Sequence, residues 1–164
     1  MNDSVRCRRQ FLIVLSALLP IAACGVPLGD PQPRPVGIGR TADGRFRFVV
    51  PLCEGETVSA FEVKDRETWA PLWRVSQPTQ PDERRGIVVL GRAQGFAEEE
   101  VRLTLPLPRN ISVSAAVPDA PTIGRAFLLD EVPEELAGTD QVIDLDGRRL
   151  SEEEFRQQVT GEYC

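Results

Sequence analysis

Three stretches of the chain alternate apolar and polar residues with a period of two. They are residues 45–53, 101–107 and 111–117, and within each stretch the apolar side chains fall on one face. Because successive side chains of a β-strand point to opposite faces of a sheet, this pattern predicts strands with one buried face. Shorter strand candidates lie at residues 57–64, 72–76, 87–90 and 126–129. About seven short strands at such spacings predict a mainly β fold, an antiparallel immunoglobulin-like sandwich.

The carboxyl-terminal part combines a hairpin signal with a helix signal. Asp146 and Gly147 form a two-residue turn sequence between the segments 142–145 and 148–150. Ser151 followed three residues later by Glu154 predicts a capping box at the start of a short helix. We expect Gly161 to end this helix. Two residues four positions apart form its predicted buried edge, Phe155 and Val159.

The amino terminus has the organisation of an export signal. Residues 1–10 contain three arginines and one aspartate, and residues 11–23 contain no charged side chain. A helix of this apolar length covers roughly 20 Å, whereas the hydrocarbon core of a bilayer is roughly 30 Å thick. The segment therefore predicts a cleaved signal peptide rather than a transmembrane helix.

The end of this apolar run carries a more specific pattern. The sequence Ile21-Ala22-Ala23-Cys24 resembles the lipobox of bacterial prolipoproteins, in which an aliphatic residue and two small residues precede a cysteine. The resemblance covers residues 1–25. It implies a diacylglyceryl group on the Cys24 sulfur and cleavage between Ala23 and Cys24, which would leave the protein lipid-anchored on the extracytoplasmic face of the cell membrane. The alternative is an ordinary signal peptide cut near Ala22 or Ala23, with no role for Cys24.

The composition of the remaining chain limits the classes of partner that it can bind. Removal of residues 1–23 moves the net charge from −6 to −8. An acidic chain of this kind repels nucleic acid, and no basic stripe occurs in the sequence. Lys64 is the only lysine among the 19 basic residues. In this arginine bias and in its outline, the chain resembles small lipoproteins of high-GC Gram-positive bacteria.

The domain organisation follows from these segments. Residues 25–44 contain four prolines and five glycines without apolar periodicity, which is typical of a flexible or extended linker. We therefore predict a signal peptide over residues 1–23, a lipidated cysteine and tether over residues 24–44, and the β-sandwich domain over residues 45–164.

The four cysteines divide by their predicted fates. Cys7 leaves with the signal peptide and Cys24 takes the lipid, so Cys53 and Cys164 remain. An exported chain meets an oxidising compartment, and an even remainder of two predicts one disulfide between Cys53 and Cys164. In the chain-entropy model, closing a loop of about 110 residues stabilises the fold by roughly 4–5 kcal/mol.

Trp69 and Trp73 are the candidate binding residues of the domain. They are four residues apart, so on a strand both would project from the same face. Packed inward, each would bury roughly 200 Å² in the core. Facing outward, they would form an aromatic surface for sugars or for an apolar patch of a partner. The pattern favours burial of Trp73.

The chain contains no histidine, which excludes Ser–His and Cys–His catalysis and histidine-based zinc sites. The sequence predicts no catalytic residue, no metal and no cofactor. Its acidic clusters fall in predicted loops and first helical turns, at residues 98–100, 134–135 and 152–154.

These features predict a membrane-anchored extracytoplasmic lipoprotein that serves as a non-catalytic binding or structural module of the cell envelope. Its expected partners are membrane lipid, through Cys24, and an envelope protein or glycan. The alternative is a small cell-envelope hydrolase that uses paired carboxylates, because such pairs need not be close in sequence.

Overall fold

Two antiparallel sheets of five strands each make up the sandwich in the computed structural model, which describes residues 33–164. In chain order the strands are β1 (Gly37–Arg40), β2 (Phe46–Val49), β3 (Ala60–Asp65), β4 (Pro71–Pro78), β5 (Ile87–Val89), β6 (Phe96–Val101), β7 (Asn110–Ala116), β8 (Ile123–Leu128), β9 (Gln141–Ile143) and β10 (Arg149–Ser151). The helices are α1 (Pro81–Arg84) and α2 (Glu152–Tyr163). The first sheet has the order β10-β9-β1-β2-β5 and the second the order β6-β4-β3-β7-β8. The prediction of a mainly β antiparallel sandwich with a carboxyl-terminal helix is confirmed, with ten strands rather than about seven.

The core lies between the two sheets and is built on aromatic side chains. Phe61 packs against Phe48 at 5.3 Å and against Trp73 at 6.3 Å between ring centroids. Trp73 in turn meets the Phe96 ring edge-on. Strand β7 shows the predicted alternation, since its inward residues are buried at every second position, Ile111, Val113 and Ala115. The two sheets are therefore joined by the apolar faces that the period-two pattern predicted.

The predicted tether boundary at residue 45 is wrong, because the domain begins earlier. Strand β1 lies in the middle of the first sheet, and Val36 just before it and Ile38 within it are fully buried. The glycines of this strand permit close packing rather than flexibility. A Cβ added to Gly37 would lie 2.8 Å from the Phe155 ring, and one added to Gly39 would overlap the carbonyl oxygen of Gln141. The part of the tether prediction that covers residues 24–32 lies outside the described residues.

The prediction of a strand over residues 101–107 is also wrong. Strand β6 ends at Val101, and Leu105, which was predicted to face inward, has 69% of its surface exposed. Pro106 within this segment and Pro108 just after it have no N–H to donate to a β-ladder, so they disfavour a strand there. The acidic residues 98–100, predicted as a loop, instead form the middle of β6.

Helix α2 begins as the sequence predicts and ends later. Ser151 and Glu154 form the reciprocal capping box, with the Glu154 N–H donating to the Ser151 Oγ at 3.2 Å. Phe155 and Val159 are buried in a small cluster with Val49 and Val142. Gly161 does not end the helix, which continues to Tyr163. A glycine ends a helix when its φ is positive, and Gly161 does not have a positive φ.

Candidate functional site

A cleft lies beside strand β8, at one side of the sandwich. We call it the β8 groove; it is bounded by residues 125–128 of β8, residues 131–133, and the turn 145–147 between β9 and β10, and it encloses about 570 Å³. Its floor is apolar, because the buried side chains of Ile38, Phe127 and Val132 reach it from the core. Four charged side chains also line the cleft, Arg125, Glu131, Asp146 and Arg149, and its size suits a binding site.

The local register explains why β8 presents an open edge to this groove. Strand β8 pairs with β7 on one side only, since it is the outermost strand of the second sheet. On its other side, the Gly124 N–H donates to the Arg34 carbonyl oxygen at 3.0 Å, which covers one end of the strand. Beyond Gly124 no further main-chain partner lies on this side within the described part of the chain. The groove therefore follows an unpaired strand edge.

Arg125 is the polar side chain whose environment stands out in the groove. Its guanidinium carbon lies 4.8 Å from the centre of the Phe127 ring, and its Nη2 donates to the Leu145 carbonyl oxygen at 3.2 Å. Its Nη1 is buried and has no hydrogen-bond partner among residues 33–164. Burial lowers the pKa of Arg125, while the carboxylates of Asp144 and Asp146 act in the opposite direction. A buried donor without an acceptor is costly, and Arg125 is the one residue lining this groove that carries such an atom.

A second cleft, of about 560 Å³, lies between α2 and the loop after β2 and contains two glutamates. Glu56 accepts hydrogen bonds from the Arg34 guanidinium and from the Cys53 N–H, the latter at 2.7 Å. The Arg34 guanidinium holds the pKa of Glu56 below its ordinary value. Glu152 accepts from Arg47 at 2.6 Å and from Arg156 at 3.0 Å. Both carboxylates are held by arginines, and for Glu56 this arrangement favours the charged form over proton donation.

A third cleft contains the most deeply buried acid of the domain. Glu83, on α1, is 1% exposed, and its Oε1 accepts from Arg92 Nη2 at 2.7 Å. Its Oε2 has no partner in the described structure. A Cβ at Gly95 would overlap the Glu83 carboxyl group, so the glycine is needed for this contact. The contact joins α1 to the 93–95 turn that precedes β6, and we interpret it as packing rather than chemistry.

The predicted disulfide is present in the structure. Cys53 and Cys164 are bonded, with their Cα atoms 5.7 Å apart. The bridge joins the loop after β2 to the end of α2. The predicted cleavage and lipidation residues, Ala23 and Cys24, lie outside the described residues.

The two tryptophans do not share a face. Trp73 lies on β4, is fully buried, and donates its indole N–H to Glu99 at 3.1 Å. Trp69 precedes β4 in a turn, with φ at +60°, and has 56% of its surface exposed. Arg66 lies over the Trp69 ring at 4.8 Å. The prediction of a shared face failed because the strand begins only at Pro71; a two-tryptophan binding surface is excluded, and burial of Trp73 is confirmed.

The sequence reasoning missed the β8 groove and Arg125. It predicted a strand over residues 126–129, yet it assigned no role to the arginine that precedes this apolar segment. The signal that was available is one charged residue at the strand's inward parity, two positions from Ile123 and two from Phe127. A charged residue at a core-facing position is unusual in a strand and marks either a pair or a site.

Comparison of the chain with protein-family models, with curated proteins and with solved structures finds no match. Within residues 33–164, none of the helices is long and apolar enough to cross a membrane. The same residues contain no group of three or more acidic, cysteine or histidine side chains placed to hold a metal ion. The case for function therefore depends on the geometry of this chain itself.

Proposed function

We propose that this chain is an exported, lipid-anchored binding module of the cell envelope that acts without catalysis. The anchoring part rests on the lipobox resemblance at Ile21–Cys24. The disulfide between Cys53 and Cys164 supports export, because disulfides persist in oxidising compartments. A domain without a catalytic histidine and with an open groove is suited to binding.

The single observation that carries the binding role is the β8 groove. It combines an apolar floor, an unpaired strand edge and a buried guanidinium nitrogen on Arg125 that lacks an acceptor. Each of these features has an energetic cost for a domain that binds nothing. A partner seated in the groove would remove all three costs at once.

The hydrolase alternative finds no comparable support. The glutamates in the cleft beside the disulfide, Glu56 and Glu152, each accept from arginine. A retaining or inverting glycosidase needs one carboxyl group with a raised pKa to act as the acid. The pKa of Glu56 is lowered instead, so we do not propose hydrolysis.

The anchor is tested by metabolic labelling with an alkyne-bearing fatty acid. The wild-type chain should incorporate the label and remain in the membrane fraction, whereas Cys24→Ala should lose the label and accumulate uncleaved. Cys7→Ala, which lies within the signal segment, is the matched control and should behave as wild type. Equal labelling of Cys24→Ala and wild type would disprove lipidation at Cys24.

The binding role is tested by site-specific photo-crosslinking in intact envelopes. A photoreactive phenylalanine replaces Leu145 in the groove wall or, as the control, Trp69 in the turn before β4. Both side chains are at least half exposed, so they sample solvent equally well. The Leu145 probe should give a discrete adduct and the Trp69 probe should not. Adducts at both positions or at neither would argue against the groove as the binding site.

A further inference from the structure

The unpaired edge of β8 has a defined set of free main-chain groups. In an antiparallel pair, alternate residues direct their N–H and C=O groups toward the partner strand and away from it. The Gly124 N–H points away from β7, since it donates to Arg34. The same parity places the main-chain groups of Ala126 and Leu128 on the open side, facing the groove. No donor or acceptor within residues 33–164 is bonded to them there.

The β8 side chains that face the groove repeat every two residues, as side chains on one face of a strand do. Ile123 and Phe127 are buried between the sheets, so Arg125, midway between them, projects to the same side. A strand added beside β8 would place two of its own inward side chains against Arg125 and Phe127. These two side chains would be two residues apart, because side chains on one face repeat with a period of two.

The charge of Arg125 determines which peptide side chain suits the first position. The apolar floor beside Phe127 determines which suits the second. Arg125 is in no salt bridge within the described residues, although the Asp144 and Asp146 carboxylates attract it at longer range, and its Nη1 lacks an acceptor. A carboxylate is the acceptor that a guanidinium binds most strongly. Beside Phe127 the floor consists of buried apolar groups, including Val132. An aliphatic side chain suits that position because it removes apolar surface from water.

From this arrangement we infer that the β8 groove binds an extended peptide segment, which adds as a strand to β8 and places an acidic side chain at Arg125 and an aliphatic one beside Phe127. The inference rests on the proposed binding function and specifies its partner. Main-chain hydrogen bonds to Ala126 and Leu128 would supply affinity, and the two side chains would supply selectivity.

The groove favours a single strand over a second copy of the domain. Strand β8 is recessed between the 131–133 segment and the turn at residues 145–147, which holds Arg125 through the Leu145 carbonyl. In a pair of domains joined edge to edge, each β8 would bring its own two walls into the other groove. A peptide brings none, so it reaches the edge without steric conflict.

The first test measures binding of short labelled peptides to the full chain in detergent, by fluorescence anisotropy. The probe is a seven-residue peptide with blocked ends, Ser-Thr-Glu-Thr-Val-Thr-Ser, together with a version in which Glu and Val exchange places. Either order satisfies the spacing, one for each strand direction. We expect saturable binding of one order, and about tenfold weaker binding when Glu is replaced by Gln. Equal binding of the Glu, Gln and Lys peptides would overturn the role of Arg125.

The second test asks whether the peptide adds as a strand. Two N-methylated peptides carry methyl groups on alternate residues, so that each blocks only one edge of the peptide. Strand addition uses one edge, so one methylated peptide should bind as the parent does and the other should lose at least about tenfold in affinity. Equal affinity of both methylated peptides and the parent would overturn strand addition.

The third test uses variants of the protein. Ala126→Pro removes an N–H that serves no bond within the described fold, and proline is tolerated at strand edges. It should abolish peptide binding, whereas Ala126→Val, which keeps the N–H, should bind. Arg125→Gln should bind the Glu and Gln peptides equally. Because the N-methylated peptides act on the wild-type chain, the inference stays testable even where a variant fails to fold.

Two outcomes separate failure of the inference from failure of the proposed function. If a crosslink forms at Leu145 in envelopes while no peptide binds, the groove binds a different class of partner and the inference is wrong. A concentration-dependent dimer that Ala126→Pro abolishes would identify a second copy as the occupant and would also overturn it. Loss of the Leu145 crosslink together with lack of peptide binding would overturn both.

Discussion

The two edges of the second sheet are protected in opposite ways. Strand β6 presents three consecutive glutamates, residues 98–100, all exposed. Like charges on an edge strand discourage pairing with any other strand. Strand β8 carries no charge on its outward-facing residues, and it relies on Arg34 at one end and on its recess at the other. The charged edge of β6 thus disfavours pairing with any strand. The recessed edge of β8 disfavours only a strand that does not fit between its walls.

The largest effect should come from the side chain that joins β8 to the core. Phe127→Ala removes a ring that packs on Phe48 at 5.9 Å, and we expect the free energy of unfolding to fall by about 3–5 kcal/mol. Chemical denaturation monitored by circular dichroism measures it. The counterpart on β6 is Ala97→Ser at an exposed position, which should stay within about 0.5 kcal/mol of wild type. Comparable losses at both positions would mean that the two edges depend on the core alike.

A smaller loss should follow when the side-chain hydrogen bond between the core and β6 is removed. Trp73→Phe keeps a buried aromatic ring and removes the indole N–H that donates to Glu99. A hydrogen bond to a charged group contributes about 1.5–3 kcal/mol, so the free energy of unfolding should fall by about 2 kcal/mol. The double variant Trp73→Phe with Glu99→Gln is the check. If the two changes add in full, the hydrogen bond does not couple the tryptophan to the edge strand.

The stability that the Arg34–Glu56 pair gives to the covered end of β8 should depend on pH. The Arg34 hydrogen bond lowers the pKa of Glu56, so the folded value lies below that of the unfolded chain, about 4.3. The pairing therefore stabilises the fold above that pH, and the stabilisation is lost as the pH falls through the lower folded value. Unfolding measured against pH should show this loss for wild type and for Glu54→Gln, an exposed neighbour, but not for Glu56→Gln.

Hydrogen exchange locates this acid effect. The Gly124 N–H, which donates to Arg34, should exchange faster in Glu56→Gln than in wild type at neutral pH. The N–H groups that β8 donates to β7 should keep their protection. Uniform acceleration along β8 would show that Glu56 stabilises the domain as a whole rather than the covered end of the strand.

Removing charge at the β6 edge should have the smallest effect on folding. Its main effect should be self-association of the protein. Glu98→Thr with Glu100→Thr should change the free energy of unfolding by less than about 0.5 kcal/mol. It should make the protein associate at high concentration, as measured by sedimentation velocity, because threonine favours strand pairing. Glu134→Thr with Glu135→Thr alters the same charge outside the sheets and should associate no more than wild type. Association of both double variants would assign the effect to net charge.

The sequence predicted the layers better than the edges. Alternation identified β7 because its inward and outward residues differ in polarity, and the capping box located the start of α2. Alternation could not identify β1, where Gly37 allows close packing against Phe155. It also could not identify β6, whose glutamates lie on an edge strand. Both strands lack the local polarity contrast on which the pattern depends.

The candidate site was harder to predict than the fold for a related reason. The disulfide followed from counting cysteines, whereas the β8 groove depends on which strand ends up outermost. That order is set by contacts between segments far apart in the chain, such as Arg34 with Ile123. Arg125 has no unusual neighbours in sequence, and its missing acceptor exists only once the sheets are packed.

The position of Arg34 has a mechanical consequence. Its guanidinium is buried against Glu56 and the Pro51 carbonyl oxygen, and its main chain forms a parallel bridge to Ile123 at the start of β8. Tension applied through the residues before Pro33 would reach the fold first at these contacts. A pull on the chain before Pro33 is thus delivered to the strand that borders the β8 groove.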